Sequence, residues 1–410
     1  MRIIADFHIH SKYSRATSKD MTARTIALWA DKKGINIIAS GDFQHPKYLA
    51  ELKTVLEAAE PGLYKIKKER FASRIVLSTE IANIYKQGGK VRKVHTLVVM
   101  PSLEAAEKFS KKLDSLGNIK SDGRPIFGFP TKDLVKIAKD ICADSMIIPA
   151  HVWTPWFSVF GSKSGFDSLE ECFEEQTKHI KAIETGLSSD VLMNRRVSAL
   201  DNIALISNSD AHSPRKIGRE ANVFETDLDY YKIKKAIETR DLKRFLYTLE
   251  FFPEEGKYHN DGHRLCKVNL SPREALANNN LCPVCLKRLT LGVLHRVEVL
   301  ADRPLGYKLD KYIPQKHLVP LEELIAAVYG VAPSAKKVQT EYIRMLQVGG
   351  TEFELLLDKQ KEALLKITEE RITEAILKVR SEMVNIIPGY DGEFGKILVS
   401  DKKKRVAGIL

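Results

Sequence analysis

Short apolar runs alternate along the first 250 residues with stretches in which apolar positions recur every third or fourth residue. The first run, Ile3-Ile4-Ala5, leads into Asp6-Phe7-His8-Ile9-His10 and reads as a buried strand. A helix is expected over residues 22–33, with Ile26, Ala27 and Ala30 on one face and Gly34 as its stop. The pattern then predicts a strand over 35–39 and a helix over 47–60, halted by Pro61-Gly62. Further strands are expected over 74–77 (ending at Glu80), 94–100, 146–149, 181–184, 203–206 and 223–224. Helices are expected over 103–116, 134–141, 191–200 and 229–239.

These are about seven strand–helix alternations with nearly continuous apolar strands. Such strands belong to a parallel sheet covered on both faces, either an open doubly wound sheet or a closed barrel. The polar residues decide for the barrel. His8, His10, Asp42, Glu80, His151, Asp210 and His212 fall just after apolar runs, and His95 lies within one. In a βα barrel the strand C-termini converge on one rim, where active sites lie. His8 and His10, two residues apart in extended chain, point the same way. Imidazoles with carboxylates suit borderline metals such as Zn²⁺ or Mn²⁺, and a carboxylate such as Glu80 is able to bridge two ions.

After residue 250 the pattern changes. His263-x-x-Cys266 and Cys282-x-x-Cys285 read as a paired knuckle around a structural Zn²⁺, with His259 as a competitor for the His263 position. Beyond 303 the chain turns helical, with helices expected over 321–329, 336–347 and 367–379 and an apolar segment over 353–357. The expected domains are therefore 1–250 (metal-binding barrel), 251–303 (zinc-binding module) and 304–410 (helical accessory region). The fold class is α/β with a helical tail.

Composition narrows the setting. Of 410 residues, 44% are apolar and 29% charged, which fits a globular protein of two or three domains. A net charge of +12 suits a polyanionic partner. No run of 18 apolar residues and no signal-peptide pattern occur, so a cytoplasmic protein is expected. Five cysteines, three of them clustered, favour a metal site in a reducing compartment. No GxxxxGK[ST] stretch indicates a P-loop.

Two loops attract attention. Trp153, Trp156 and Phe157, followed by the Gly161–Gly165 stretch with Lys163, lie beside His151 and read equally as a stacking surface for a base or as a small core under a long loop. Residues 87–93 read as a turn with phosphate-contacting potential.

Asp6-x-His8-x-His10-Ser11, Tyr13-Ser14, Gly41-Asp42, Thr79-Glu80, Pro149-Ala150-His151 and Ser209-Asp210-x-His212, in this order, resemble the PHP (polymerase and histidinol phosphatase) superfamily. The resemblance implies a distorted (βα)₇ barrel with two or three catalytic divalent metals (Zn²⁺, Mg²⁺ or Mn²⁺). It implies His8, His10, Glu80 and Asp210 at one metal, and Glu80, His95 and His151 at a second. It implies His212 with Asp42 at a third, and Glu80, Asp210, His212 and Asp42 as the catalytic set. Phe43 and Ala16 stand where many members carry histidine.

The barrel, cysteine module and helical tail together, with Gly262-His263-Arg264 and the 384–392 stretch, are similar to the endonuclease Q family of DNA-repair nucleases from archaea and some bacteria. That similarity implies cleavage 5′ to a deaminated base (hypoxanthine, uracil, xanthine) or an abasic site. It also implies nucleoid-associated DNA as partner, a lesion flipped into a slot such as Trp153, Trp156, Phe157 and Lys163 would line, and a sliding clamp (PCNA) bound through a C-terminal box. No such box is seen in 396–410. The competing readings are a small-molecule phosphatase of the same superfamily and a non-catalytic DNA-binding scaffold.

Overall fold

The computed structural model describes residues 1–399 except Lys308. The basic run Lys402-Lys403-Lys404-Arg405, and most of the window searched for a clamp-binding box, lie outside the described residues.

Seven strands build the barrel: β1 (Arg2–Asp6), β2 (Ile37–Ala39), β3 (Arg74–Gln87), β4 (Lys90–Met100), β5 (Met146–Pro149), β6 (Ala182–Glu184) and β7 (Ala204–Ile206). Strands β1, β2 and β3 are parallel, with Ala5 opposite Ile37 and Ile37 opposite Arg74. Strands β6 and β7 are also parallel. Within these seven strands the expected parallel pairing fails at one strand. Strand β4 runs antiparallel to both β3 and β5. Residues 87–93 therefore form the turn and flanks of a hairpin, with Gly88 and Gly89 at positive φ. An apolar run carries no direction, so sequence pattern could not distinguish a reversed strand from a parallel one.

The ring closes at the rim. Val152 N–H donates to Glu184 O at 3.0 Å, and His10 N–H donates to Ala211 O at 2.9 Å. One core cluster takes residues from all seven strands, among them Ile3, Ile37, Val76, Leu97, Ile148, Ala182 and Ala204. This is the barrel interior, stoppered by Tyr230, Ile233 and Ile237 of the helix Tyr230–Thr239. Side chains on the opposite strand faces, such as Ile4 and Ile38, pack under the surrounding helices. The helix Ala23–Lys33 starts on the Thr22 side chain, which accepts from Thr25 N–H, and ends at Gly34 in the left-handed region.

Other departures have local causes. The helix expected over 47–60 stops at Val55, because Leu56–Ala58 pairs with Tyr64–Ile66. The stretch 191–200 is one turn of α-helix, Val191–Asn194, then a 3₁₀ turn. The strand expected at 223–224 is longer, β8 (Ala221–Glu225), and β9 (Phe245–Glu250) follows where no strand was expected. Both extend the sheet past β1, antiparallel in turn.

The tail does not stand apart. Strand β10 (Gln315–His317) pairs with β9, and Leu321, Leu324, Val338, Tyr342 and Ile372 join the core that lies under the helix Ala23–Lys33. A buried ion pair, Lys33 Nζ to Glu352 at 3.0 Å, fastens the two. The helix expected over 367–379 is Glu370–Arg380, and a separate short helix, Lys361–Ile367, precedes it.

Candidate active site

The site grows from strand ends. The chain leaves β1 at Asp6, whose carboxylate accepts from the N–H groups of His8, Ser209 and Gly218. Burial pushes this carboxyl up to about 6, although those bonds and the Ser209 hydroxyl favour its charged form. The next two side chains on the rim, His8 and His10, are wholly buried. His8 Nδ1 lies 2.9 Å from Glu184 Oε2 at the end of β6. His10 Nδ1 lies 3.0 Å from Asp42 Oδ1, beyond β2. Each imidazole is thus fixed through one nitrogen and aims the other, Nε2, at the centre.

Glu80 lies there. Register places it: Glu80 is opposite Leu97 and Ala82 opposite His95, so Glu80 and His95 share a face diagonally. Its two oxygens divide. Oε1 is 2.8 Å from His95 Nδ1 and 3.0 Å from His151 Nε2. Oε2 is 3.2 Å from His10 Nε2, 3.7 Å from His8 Nε2 and 3.1 Å from Arg124 Nη1. Asp210 Oδ1 approaches the same two imidazoles at 3.2 and 3.6 Å. His8, His10 and Asp210 form one group of convergent ligand atoms, and Glu80, His95 and His151 a second, each within 4.8 Å.

The donors fit divalent metal. His8 Nε2, His10 Nε2 and Asp210 Oδ1 are buried and make no hydrogen bond, although they crowd together. Burial disfavours charge on His8 and His10, yet Glu184, Asp42, Glu80 and Asp210 outweigh it and hold both well above the usual histidine range. The centre therefore favours positive charge, which a cation supplies in place of those protons. Burial pushes His95 down to about 4, so it presents a neutral ring. Asp42, His151 and Asp210 have φ of 42°, 31° and 47°. Each stands beyond a strand in a backbone region that non-glycine residues rarely occupy, as residues at functional sites often do.

Two expected ligands play other parts. Asp42 accepts from His10 through Oδ1 and from Ser11 N–H, Ser11 Oγ and Ser14 Oγ through Oδ2. Its oxygens are engaged in holding His10, and it joins neither ligand group. His212 bonds Asp210 O through Nδ1 and packs its ring 4.5 Å from that of His10, also outside both groups. Among the described residues the barrel presents two ligand groups and no third.

The flanking loop separates into core and surface. Trp153 is 1% exposed, gives its indole N–H to Asn194 Oδ1 at 2.8 Å and packs on Phe160. It is a core residue, which corrects its expected place in a lesion slot: the loop folds back, and its first aromatic is covered. Phe157 packs 4.6 Å from His95, Trp156 is 42% exposed, and Lys163 is exposed.

In the cysteine module His263, Cys266, Cys282 and Cys285 converge, His263 Nδ1 lying 3.4 Å from Cys285 Sγ, while His259 is buried outside the group. Burial opposes the Cys282 thiolate, but the N–H groups of Cys285 and Val284 and the His263 ring bring the thiol down to about 6. Two residues of the barrel site escaped the sequence reading: Glu184 and Arg124. Only Glu184 carried a legible signal, since it too ends an apolar strand.

Residues 320–383 match the family model described as the MJ0043 C-terminal domain. The chain is 29% identical over 413 residues, 97% of its length and 99% of the other's, to the uncharacterized protein YqxK of Bacillus subtilis. The crystal structure of the lesion-specific endonuclease PfuEndoQ from Pyrococcus furiosus superposes with a TM-score of 0.87 at 31% identity, over 98% of this chain and 96% of that one. An endonuclease Q in complex with a 27-mer duplex, an abasic lesion at its active site, gives 0.85 at 31% identity, over 98% and 97%. With this identity across almost the full length of both chains, the chain belongs to the endonuclease Q family.

Proposed function

We propose that the protein is a metal-dependent DNA-repair endonuclease that hydrolyses the phosphodiester 5′ to a deaminated base (hypoxanthine, uracil or xanthine) or an abasic site. The observation that carries the reading is the division of Glu80, one oxygen to each of two ligand groups. It is joined by 31% identity to an endonuclease Q whose complex holds an abasic lesion.

His8, His10, Asp210 and Oε2 of Glu80 would hold one divalent ion, and Oε1 of Glu80, His95 and His151 a second. Imidazole-rich donors favour Zn²⁺ or Mn²⁺ over Mg²⁺. Such ions neutralise charge on phosphate oxygens and make water acidic enough to attack at neutral pH. Around them Glu184 and Asp42 hold the rings of His8 and His10. Burial lowers the His212 pKa, so its neutral ring at the rim accepts a proton from the attacking water. The P–O3′ bond breaks, and the 3′ oxygen takes a proton from solvent and leaves as a hydroxyl.

A duplex hides the Watson–Crick edge, so the lesion is extruded, at a cost of a few kcal/mol that is least for a missing or mispaired base. Trp156 and Phe157, with Lys163 near the backbone, are the side chains proposed to receive it. His263, Cys266, Cys282 and Cys285 would hold a structural zinc in a module over 251–303, with 304–410 as the accessory region. Among the described residues no helix is long and apolar enough to cross a membrane. The substrate places the enzyme's work on the nucleoid.

The test is a set of labelled duplexes, each with one deoxyinosine, deoxyuridine, deoxyxanthosine or abasic site, incubated with and without chelator. A single nick 5′ to each lesion, abolished by chelator, is expected. Hydrolysis of histidinol phosphate without nicking would support the small-molecule phosphatase instead.

A further inference from the structure

Arg124 belongs to none of the motifs, yet it reaches the ligand set. Its loop is tied down on every side. Gly123 N–H donates to Tyr13 O at 2.9 Å, and Ala82 N–H donates to Pro125 O at 3.0 Å. Gln44 Nε2 donates to Gly123 O at 2.7 Å, and Arg124 N–H donates to Asp122 Oδ1 at 3.1 Å. A Cβ on Gly123 would stand 2.4 Å from both Asp42 Oδ2 and Ser14 Oγ, so the loop is pressed onto the residues that hold His10. From this fixed backbone Nη1 donates to Glu80 Oε2 at 3.1 Å.

Glu80 does not need Arg124 to be held, since Oε1 already meets His95 and His151. The guanidinium has five N–H donors and spends one of them here. Nε and Nη2 bond no described residue, and the side chain keeps 29% exposure above a carboxylate with none. A rigidly mounted cation with a free edge, open to solvent directly over two metal-ligand groups, is what a phosphate would meet.

We propose that Arg124 is a catalytic residue whose free edge binds a non-bridging oxygen of the scissile phosphate. The planar fork matches a phosphate, and it stabilises the charge that grows on the phosphoryl oxygens as water adds to phosphorus and the P–O3′ bond breaks. Arg124 stays protonated throughout and transfers no proton. The inference rests on the endonuclease reading and adds a phosphate-binding group that no metal ligand provides.

The test compares wild type with Arg124→Ala and Arg124→Lys. Bound metal is counted by mass spectrometry. Affinity is measured for two abasic duplexes, one with an ordinary scissile phosphate and one with a neutral methylphosphonate in its place. Nicking is measured in single turnover. Arg124→Ala should keep its metals and nick on the order of 10²–10³-fold more slowly. It should lose affinity for the charged linkage alone, and Arg124→Lys should recover only part of the rate. Loss of metal from Arg124→Ala, an unchanged rate, or equal loss of affinity for both linkages would overturn the proposal. A wild-type enzyme inert on every lesion duplex would instead overturn the endonuclease reading and this inference with it.

Discussion

Replacing Glu184 by alanine removes the acceptor of His8 Nδ1 and of Asn208 Nδ2, which lie 2.9 and 3.2 Å from Oε2. Both donors are buried. Each one left unpaired costs about 1–3 kcal/mol of folding stability. The larger consequence falls on the metal. Without its partner His8 is free to turn and to change tautomer, and loss of such a support weakens metal affinity by about 10–100-fold, or ~1.4–2.7 kcal/mol. Glu184→Gln separates charge from shape. With its amide oxygen at the Oε2 position it still accepts from both His8 Nδ1 and Asn208 Nδ2, but the negative charge beside His8 is gone, and its NH₂ takes the Oε1 position, 3.2 Å from His8 Nδ1. The expected order of metal affinity is wild type, then Glu184→Gln, then Glu184→Ala, read by competition with a chromophoric chelator. Glu184 touches no substrate in this account, so saturating metal should return nicking close to the wild-type rate. Wild-type affinity in Glu184→Ala, or nicking that excess metal does not restore, would refute the reasoning.

Cys282→Ser should release one zinc per chain and leave the barrel ions in place. Elemental analysis checks this, and a folded variant with its full zinc complement would remove the cysteines from metal binding. Trp153→Ala should lower stability by about 3–5 kcal/mol in denaturant titration, the usual cost of emptying a buried aromatic site. Trp156→Ala and Phe157→Ala should keep metal content and lose discrimination between inosine-containing and undamaged DNA in binding assays. Glu250 is fully buried, and burial with nearby Asp190 raises its carboxyl to about 8 although His317 opposes this. An acid whose folded pKa lies above its unfolded value near 4.5 favours folding at low pH and loses that advantage as pH rises from about 4.5 through 8. Glu250→Gln should therefore match wild type in melting temperature at pH 5 and exceed it at pH 9. A constant difference across that range would contradict the assignment.

The rim of the barrel was legible because strand ends converge there. Polar residues that follow apolar runs, such as His8, His151 and Asp210, could be gathered from sequence without knowing strand order. What pattern could not show was direction or partnership. His95 looked misplaced inside its run because β4 is reversed, which brings mid-strand positions to the level of Glu80. Glu184 sits where the strand-end rule points, but its meaning lies in His8, 176 residues away. Arg124 is held by Tyr13, Gln44 and Ala82, contacts that exist only after folding. Asp42 read as a ligand because a carboxylate beyond a strand looks alike whether it faces an ion or a ligand's second nitrogen. Trp153 and Trp156 sit in an irregular loop, where no period marks which side is covered. Strands β9 and β10 were missed because their places depend on pairing with each other beyond the barrel.

The central claim is that Glu80 joins two metal-ligand groups into one cleaving centre. Its most direct test is Glu80→Ala, with bound ions counted and nicking measured on a duplex carrying a single abasic site. The account requires loss of at least one barrel ion and loss of nicking, while the cysteine-bound zinc and DNA affinity survive. Nicking at the wild-type rate by Glu80→Ala would contradict it.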